Sequence, residues 1–321
     1  MINGELIDLA AGDYRARIAT SGATLVHLRR AGSDLVIPFD AEVSLPEGWQ
    51  GKTLVPWPNR IVGARYAYRG QEYPVPCNEP ETGSALHGLV GWADFQVVAT
   101  SAGDDAVGDA PSSVALELTL PGSYAYPWSL QVDVRFALDA RAGLTVAATT
   151  TCLGAGAPAA PDAVGAPESD GLLAPAPYGV SFHPYLTRSV PLDECVLQVP
   201  AARVLDVDER MAPAAERDVA GTDWDWRAGR PVGTISTDNA YTGLPQGPWE
   251  VRLTGGEAGS TVVLSAEAPW VQVYTAEHLG RRGVAVEPMT CPPDAFNSGR
   301  DLVELEVGRS HSFSYSLRED D

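Results

Sequence analysis

Hydrophobic and polar residues alternate with a period of two along much of this chain. Leu130, Val132, Val134, Phe136 and Leu138 alternate with Gln131, Asp133, Arg135 and Ala137. Val114, Leu116, Leu118 and Leu120 are separated by smaller or polar residues; Trp249, Val251 and Leu253 repeat the pattern, and Phe313, Tyr315 and Leu317 do so against serines. Such alternation marks half-buried antiparallel strands. With 32 glycines and 26 prolines the chain is broken too often for long helices, and no stretch carries an apolar stripe of helical period. The prediction is an all-β chain, a sandwich of large antiparallel sheets. Residues 154–177 depart from the pattern, being rich in Ala, Gly and Pro with few large apolar side chains before Leu172. That composition predicts an exposed, mobile loop. Strand patterns of one style flank it, so it reads as an insertion within a single domain spanning 1–321.

Composition removes several function classes. A formal net charge of −20 over 321 residues opposes nucleic-acid binding, which needs a basic surface, and disfavours an anionic membrane. Lys52 is the sole lysine. The start has no basic segment followed by an apolar run, and no stretch approaches the ~18 apolar residues of a membrane span, so a soluble protein is expected. Cys77, Cys152, Cys195 and Cys291 are far apart and form no CxxC pair, which points away from a disulfide framework or zinc site and towards reduced thiols in a cytoplasm.

Few residues can carry chemistry. Of five histidines, His27 lies in a strand-like run and reads as structural, while surface positions suffice for His278 and His311. His87 and His183 sit in turn-and-aromatic contexts, Leu86-His87-Gly88 and Phe182-His183-Pro184-Tyr185; alone, such a residue is more often a hydrogen-bonded structural histidine than a functional one. Glu287 follows Gly283-Val284-Ala285-Val286. A strand there puts Val284 and Val286 on one face and Ala285 with Glu287 on the other, and partial burial would raise the pKa of the acid. Asp238, in Ser236-Thr237-Asp238-Asn239, is by itself a weak candidate and reads as a turn-forming residue. The Asn59-Arg60 pair within Pro56-Trp57-Pro58-Asn59-Arg60-Ile61 suits either a structural ion pair or hydrogen bonds to several sugar hydroxyls. No two histidines have a local metal-motif spacing, and the chain lacks a P-loop, a GxGxxG after a strand and a GxSxG, so neither metal nor nucleotide cofactor is expected.

Six short segments together resemble the aldose 1-epimerase (galactose mutarotase-like) family, in the family's order and over nearly the whole chain. They are Pro58-Asn59-Arg60-Ile61, Leu86-His87-Gly88, Phe182-His183-Pro184-Tyr185, Thr237-Asp238, Val271-Gln272-Val273-Tyr274-Thr275, and Glu287-Pro288 with Pro293-Asp294-Ala295-Phe296-Asn297. The Pro56-Trp57-Pro58-Asn59-Arg60 version looks most like the bacterial branch containing mutarotases of sugar operons, such as the sulfoquinovose one. The resemblance implies a β-supersandwich with an open sugar cleft and no cofactor. It also implies Glu287 as general base, His183 as general acid, His87 assisting at the ring oxygen, and Arg60, Asn59, Asp238 and Gln272 holding hydroxyls. The expected protein is a monomer or homodimer acting on a small aldose. Two features depart from the family: Cys152-Leu153-Gly154 stands where an Asn often ends the strand, and the stretch leading to Tyr178 is longer than usual. The chemistry requires His183 protonated and Glu287 ionised near neutral pH.

Three rivals remain. A hexose-phosphate epimerase would need a basic pocket beyond Arg60, with Arg65 and Arg69 the nearby candidates. A non-catalytic sugar-binding protein would not need both His183 and Glu287. A glycosidase could pair Glu287 with Asp238 but leaves the two histidines without a role.

Overall fold

The computed structural model describes residues 2–103, 107–156, 174–256 and 259–320. Strands dominate, and the described residues include one short α-helix, Ala295–Ser298, with a few 3-10 turns. The architecture is the all-β stack of large antiparallel sheets that the alternation predicts.

A nine-stranded sheet runs from Gln96–Ser101 through Ser113–Leu120, Trp128–Asp139, Gly143–Ala155, Ser310–Asp320, Thr261–Ala266, Trp249–Thr254 and Val196–Gln198 to Arg230–Pro231. Leu130, Val132, Val134, Phe136 and Leu138 are all buried on its inner face, as are Phe313, Tyr315 and Leu317. Burying a large apolar side chain contributes roughly 1.5–3 kcal/mol, so such rows fix which face turns inward. A four-stranded sheet, Leu6–Ala11 to Ser33–Asp34, packs against this one and joins the same core.

The second large sheet has the order Pro213–Asp218, Arg203–Val207, Asp238–Thr242, Trp270–Tyr274, Val284–Met289, Ser181–Phe182, Thr53–Leu54, with Tyr185–Leu186 also paired to Val284–Met289. Its Val271, Val273, Val284 and Val286 enter the main core. Phe182 packs on Phe313 and Tyr315 of the nine-stranded sheet, with ring centroids 6.0 and 4.9 Å away. The other face carries a different set: Leu205, Ala240, Trp270 and Met289 form one small apolar cluster, and Ile37, Tyr185, Ala276, Leu279 and Ala285 another. Polar residues occupy the same sheet face, Gln272 facing Glu287 across the ladder and Asp238 facing Tyr274.

Of the segment expected to be a loop, residues 157–173 lie outside the described residues. Its ends are strand: Gly154 and Ala155 complete Gly143–Ala155, while Ala176 and Pro177 belong to Ala176–Tyr178, paired with Val303–Leu305. Their pairing partners lie far along the chain, so local composition misses them. The strand thus runs past Thr151, through Cys152 and Leu153.

Candidate active site

All seven residues singled out from the sequence, Asn59, Arg60, His87, His183, Asp238, Gln272 and Glu287, line one cavity of 210 Å³. That is below the ~300–1,000 Å³ of drug-sized sites, as suits a single sugar ring. Strand period two explains the far wall. Gln272 and Glu287 are cross-strand partners, and the alternation that sends Val273 and Val286 into the core turns both towards the cavity. Gln272 Nε2 donates to Asp238 Oδ1 at 2.6 Å.

The near wall comes from chain turns locked to one another. His183 follows Phe182, and its backbone N–H donates to the Lys52 carbonyl while its own carbonyl accepts from Gly51. Arg60–Ile61 pairs with Ala85–Leu86, so Asn59 and His87 meet just beyond the ladder. The backbone N–H of His87 donates to the Asn59 carbonyl at 2.8 Å, and that of Asn59 donates to His87 Nδ1 at 3.2 Å. With Nδ1 accepting, the neutral ring carries its proton on Nε2, a donor. Asp294, from the last of the six segments, holds this region: its N–H donates to the Arg60 carbonyl and its Oδ1 accepts from Val62 N.

His183 Nε2 lies 3.2 Å from Glu287 Oε1, with both side chains almost wholly buried. Burial drives Glu287 well above the ordinary carboxylate range, and the nearby Asp238 charge pushes it further, against Arg60. His183 is driven down, chiefly by burial. His87 is held well below the usual imidazole range by burial, then by His183 and Arg60. Chemistry alone calls for His183 protonated and Glu287 ionised; burial pushes both groups the other way, because it penalises every charge. The two descriptions differ only in where one proton sits, so the pair titrates as a unit. His183 Nδ1, Glu287 Oε2 and Gln272 Oε1 are buried without a hydrogen-bond partner, capacity that a polar ligand can use.

Sequence reasoning missed Glu79. Its carboxylate takes a two-pronged ion pair from Arg60, Nε to Oε2 and Nη2 to Oε1, each 2.7 Å, and accepts a hydrogen bond from Thr82. The ion-pair reading of Arg60 thus holds for two of its nitrogens, while among the described residues Nη1 reaches Asn59 Oδ1 at 3.4 Å. Nothing local marks Glu79, since its pairing spans 19 residues through a turn. His278 is exposed, as the sequence suggests, and it also lines the cavity, stacked on Tyr274. Trp49 and Tyr185 line it too, Tyr185 stacked on His183 at 4.9 Å. Arg65 and Arg69 do not.

His87, His183 and Glu287 each place one possible ligand atom within 4.8 Å of the others, a grouping that could hold a metal ion. Spacing along the chain gave no sign of it, because the three come from separate strands and turns. A larger cavity of 670 Å³ lies elsewhere, without histidines, and its Arg188 and Arg281 are held by Glu319 and by Asp193 with Glu277.

Comparison with known proteins follows the geometry. The model of the aldose 1-epimerase family matches residues 5–159 and 167–318. YihR, an uncharacterized protein of Escherichia coli strain K12, is 38% identical over 316 residues, which cover 98% of this chain and 93% of that protein. A GalM/aldose epimerase homologue from C. elegans superposes with a TM-score of 0.79 at 21% identity, covering 98% of each chain. Galactose 1-epimerase from Lactobacillus acidophilus NCFM gives 0.79 at 16% identity, covering 100% of this chain and 97% of that one. At those identities the two structures speak for the galactose mutarotase-like fold.

Proposed function

The chain belongs to the aldose 1-epimerase family, and from that premise we propose that it is a mutarotase, interconverting the α- and β-anomers of a free aldose by acid–base ring opening and reclosure. The observation that carries this reading is the His183–Glu287 pair, 3.2 Å apart and buried beneath a cavity with sugar-sized room and polar walls.

Opening a pyranose removes the proton of the C1 hydroxyl and delivers one to the ring oxygen. Both oxygens are bonded to the same carbon, so the base and the acid must lie side by side, as Glu287 and His183 do. Glu287 takes the hydroxyl proton, His183 gives its proton to the ring oxygen, and the C1–O5 bond breaks to leave an aldehyde. Glu287 is then protonated and His183 neutral, the form that burial favours, so the site stabilises the open-chain state relative to the ionised pair. Rotation about C1–C2 presents the other carbonyl face. On reclosure the C5 hydroxyl attacks C1, His183 recovers a proton from it, and Glu287 returns its own to the carbonyl oxygen. His87 donates from Nε2 to a sugar oxygen, and Arg60, Asn59, Asp238 and Gln272 hold hydroxyls.

Polarimetry on freshly dissolved α-anomers of glucose, galactose, xylose, arabinose and sulfoquinovose tests the activity. Accelerated decay to the equilibrium rotation is expected for at least one. Calorimetric binding of an aldose without acceleration of any would make the chain a sugar-binding protein instead. We place it in the cytoplasm, a reading supported by four free thiols, three of them buried. No helix among the described residues is long and apolar enough to cross a membrane.

A further inference from the structure

We infer that the 670 Å³ cavity is a second ligand site, for a phosphate or sulfate group, free or esterified to a small metabolite. The inference stands apart from the mutarotase reading. The cavity is lined from three segments, within 32–38, 187–191 and 280–282. Thr187 N donates to the Leu35 carbonyl, Ile37 N to that of Tyr185 and Leu192 N to that of Arg281, so the walls are tied before any ligand arrives. Among the described residues, the two cavities share no lining side chain. One loop lies between them, with His278 on the catalytic side and Gly280, Arg281 and Arg282 on this one.

The charge of this cavity is the reverse of the molecule's. The chain has 42 acidic against 22 basic residues, whereas the described lining holds Arg188, Arg281 and Arg282 against Asp34. Asp34 is taken by Arg29 at 2.6 Å. Arg281 is fully engaged: Asp193 and Glu277 accept from Nε and Nη1, and the Gly233 and Ile235 carbonyls from Nη2. Arg188 is not. Its side chain is 6% exposed, and Nη2 donates to Glu319 and Ser260, while Nε and Nη1 are buried without a hydrogen-bond partner. A guanidinium cannot shed its charge, so unused donors on a buried one are costly until a ligand takes them. Arg282 brings a second fork: its Nε donates to the Leu279 carbonyl at 3.1 Å, and no carboxylate among the described residues pairs with it. Such forks match the oxygens of phosphate and sulfate. Donors arriving from separate segments, with the Ser33 and Ser189 hydroxyls in the same lining, suit a tetrahedral anion better than a flat carboxylate. The volume exceeds that of a bare oxyanion and leaves room for an organic part beside Ile37 and Val190.

A phosphorus NMR titration of inorganic phosphate against the full-length protein, at constant ionic strength, should show saturable line broadening. Arg282→Gln, which breaks no ion pair, should weaken that binding about fivefold or more, and Arg188→Lys, which keeps the charge but loses the fork, about tenfold or more. A thermal melt accompanies Arg188→Lys; if that variant unfolds, Arg282→Gln decides alone. Acetate should compete at least about tenfold more weakly than sulfate, since it offers a single planar pair of oxygens. Displacement by glycerol 3-phosphate at lower concentration than by sulfate marks an ester as the ligand, and the opposite order a free ion; both sustain the site. Absence of saturable binding by the wild type overturns it. So does phosphate binding that survives in Arg282→Gln and Arg188→Lys but is lost in Arg60→Lys, which would put the anion in the catalytic cavity.

Discussion

Glu287→Gln keeps the shape of the side chain and its hydrogen bonds but cannot accept a proton. Catalysed mutarotation should fall by about two or more orders of magnitude, the usual worth of a general base, with sugar binding retained in calorimetry. If Glu287 instead serves the fold, melting temperature and activity would fall together. The pH profile of kcat/KM follows from the pair's surroundings. Its working form carries one proton; adding a second creates a buried cation, and removing the last leaves a buried carboxylate. Burial therefore moves the acid limb down and the alkaline limb up, and the bell widens on both sides. The Asp238 charge adds to the upward push, so Asp238→Asn should shift the alkaline limb to lower pH; an unmoved limb would separate Asp238 from the pair. Glu79 positions Arg60 and cancels its charge. Charged hydrogen bonds of this kind contribute roughly 1.5–3 kcal/mol, so Glu79→Gln should raise KM about tenfold or more with a smaller change in kcat. A lowered melting temperature at unchanged KM would make the ion pair purely structural.

At the scale of elements, the site depends on ladder register. A one-residue slip of Val284–Met289 against Trp270–Tyr274 would bury Glu287 in the valine core and turn Val286 to the cavity. The turn that carries His87 depends on backbone conformation. His87 and Gly88 both have left-handed φ, 63° and 72°, and a methyl group on Gly88 would strike the Val55 carbonyl, to which Leu89 N donates. Gly88→Ala should therefore destabilise the fold by about 1–3 kcal/mol in denaturant unfolding and raise KM through displacement of His87. Wild-type stability in that variant would show that the turn can yield.

For the whole molecule, buried histidines set the acid behaviour. The pKa of His27 is lowered to about 4, first by burial and then by Arg29 and Arg17; His87 and His183 are lowered by burial as well. A folded pKa below the unfolded value means that the unfolded chain binds more protons. The stability is then present in full above ~6.5 and is lost as pH falls towards 4. Glu287, raised, acts in the opposite sense and loses its contribution as pH rises from about 4.5. Melting temperature should fall by at least ~2–4 °C between pH 7 and 5, the equivalent of about 1 kcal/mol, and His27→Gln should flatten that slope. An equal slope in His27→Gln would place the proton uptake elsewhere.

Sheet membership was legible in the sequence because each strand writes its buried face as period two, a local signal: the rows at 130–138 and 313–317 went into the core as read. The split of Val284 and Val286 from Ala285 and Glu287 followed from the same rule. Seven cavity residues were legible for a different reason, their order along the chain in six segments that match a family. Glu79, His278 and Trp49 were not, since each gains its place from a partner distant in the chain or across a turn. The directions in which His183 and Glu287 are shifted were not legible from residue type, because a pKa depends on burial and neighbouring charge, and both exist only once the sheets are stacked. The sequence by itself determined strand faces and the kinds of side chain available. Only the tertiary structure decided which of those side chains meet and in which direction burial shifts their titration, because contact and desolvation are properties of the folded chain.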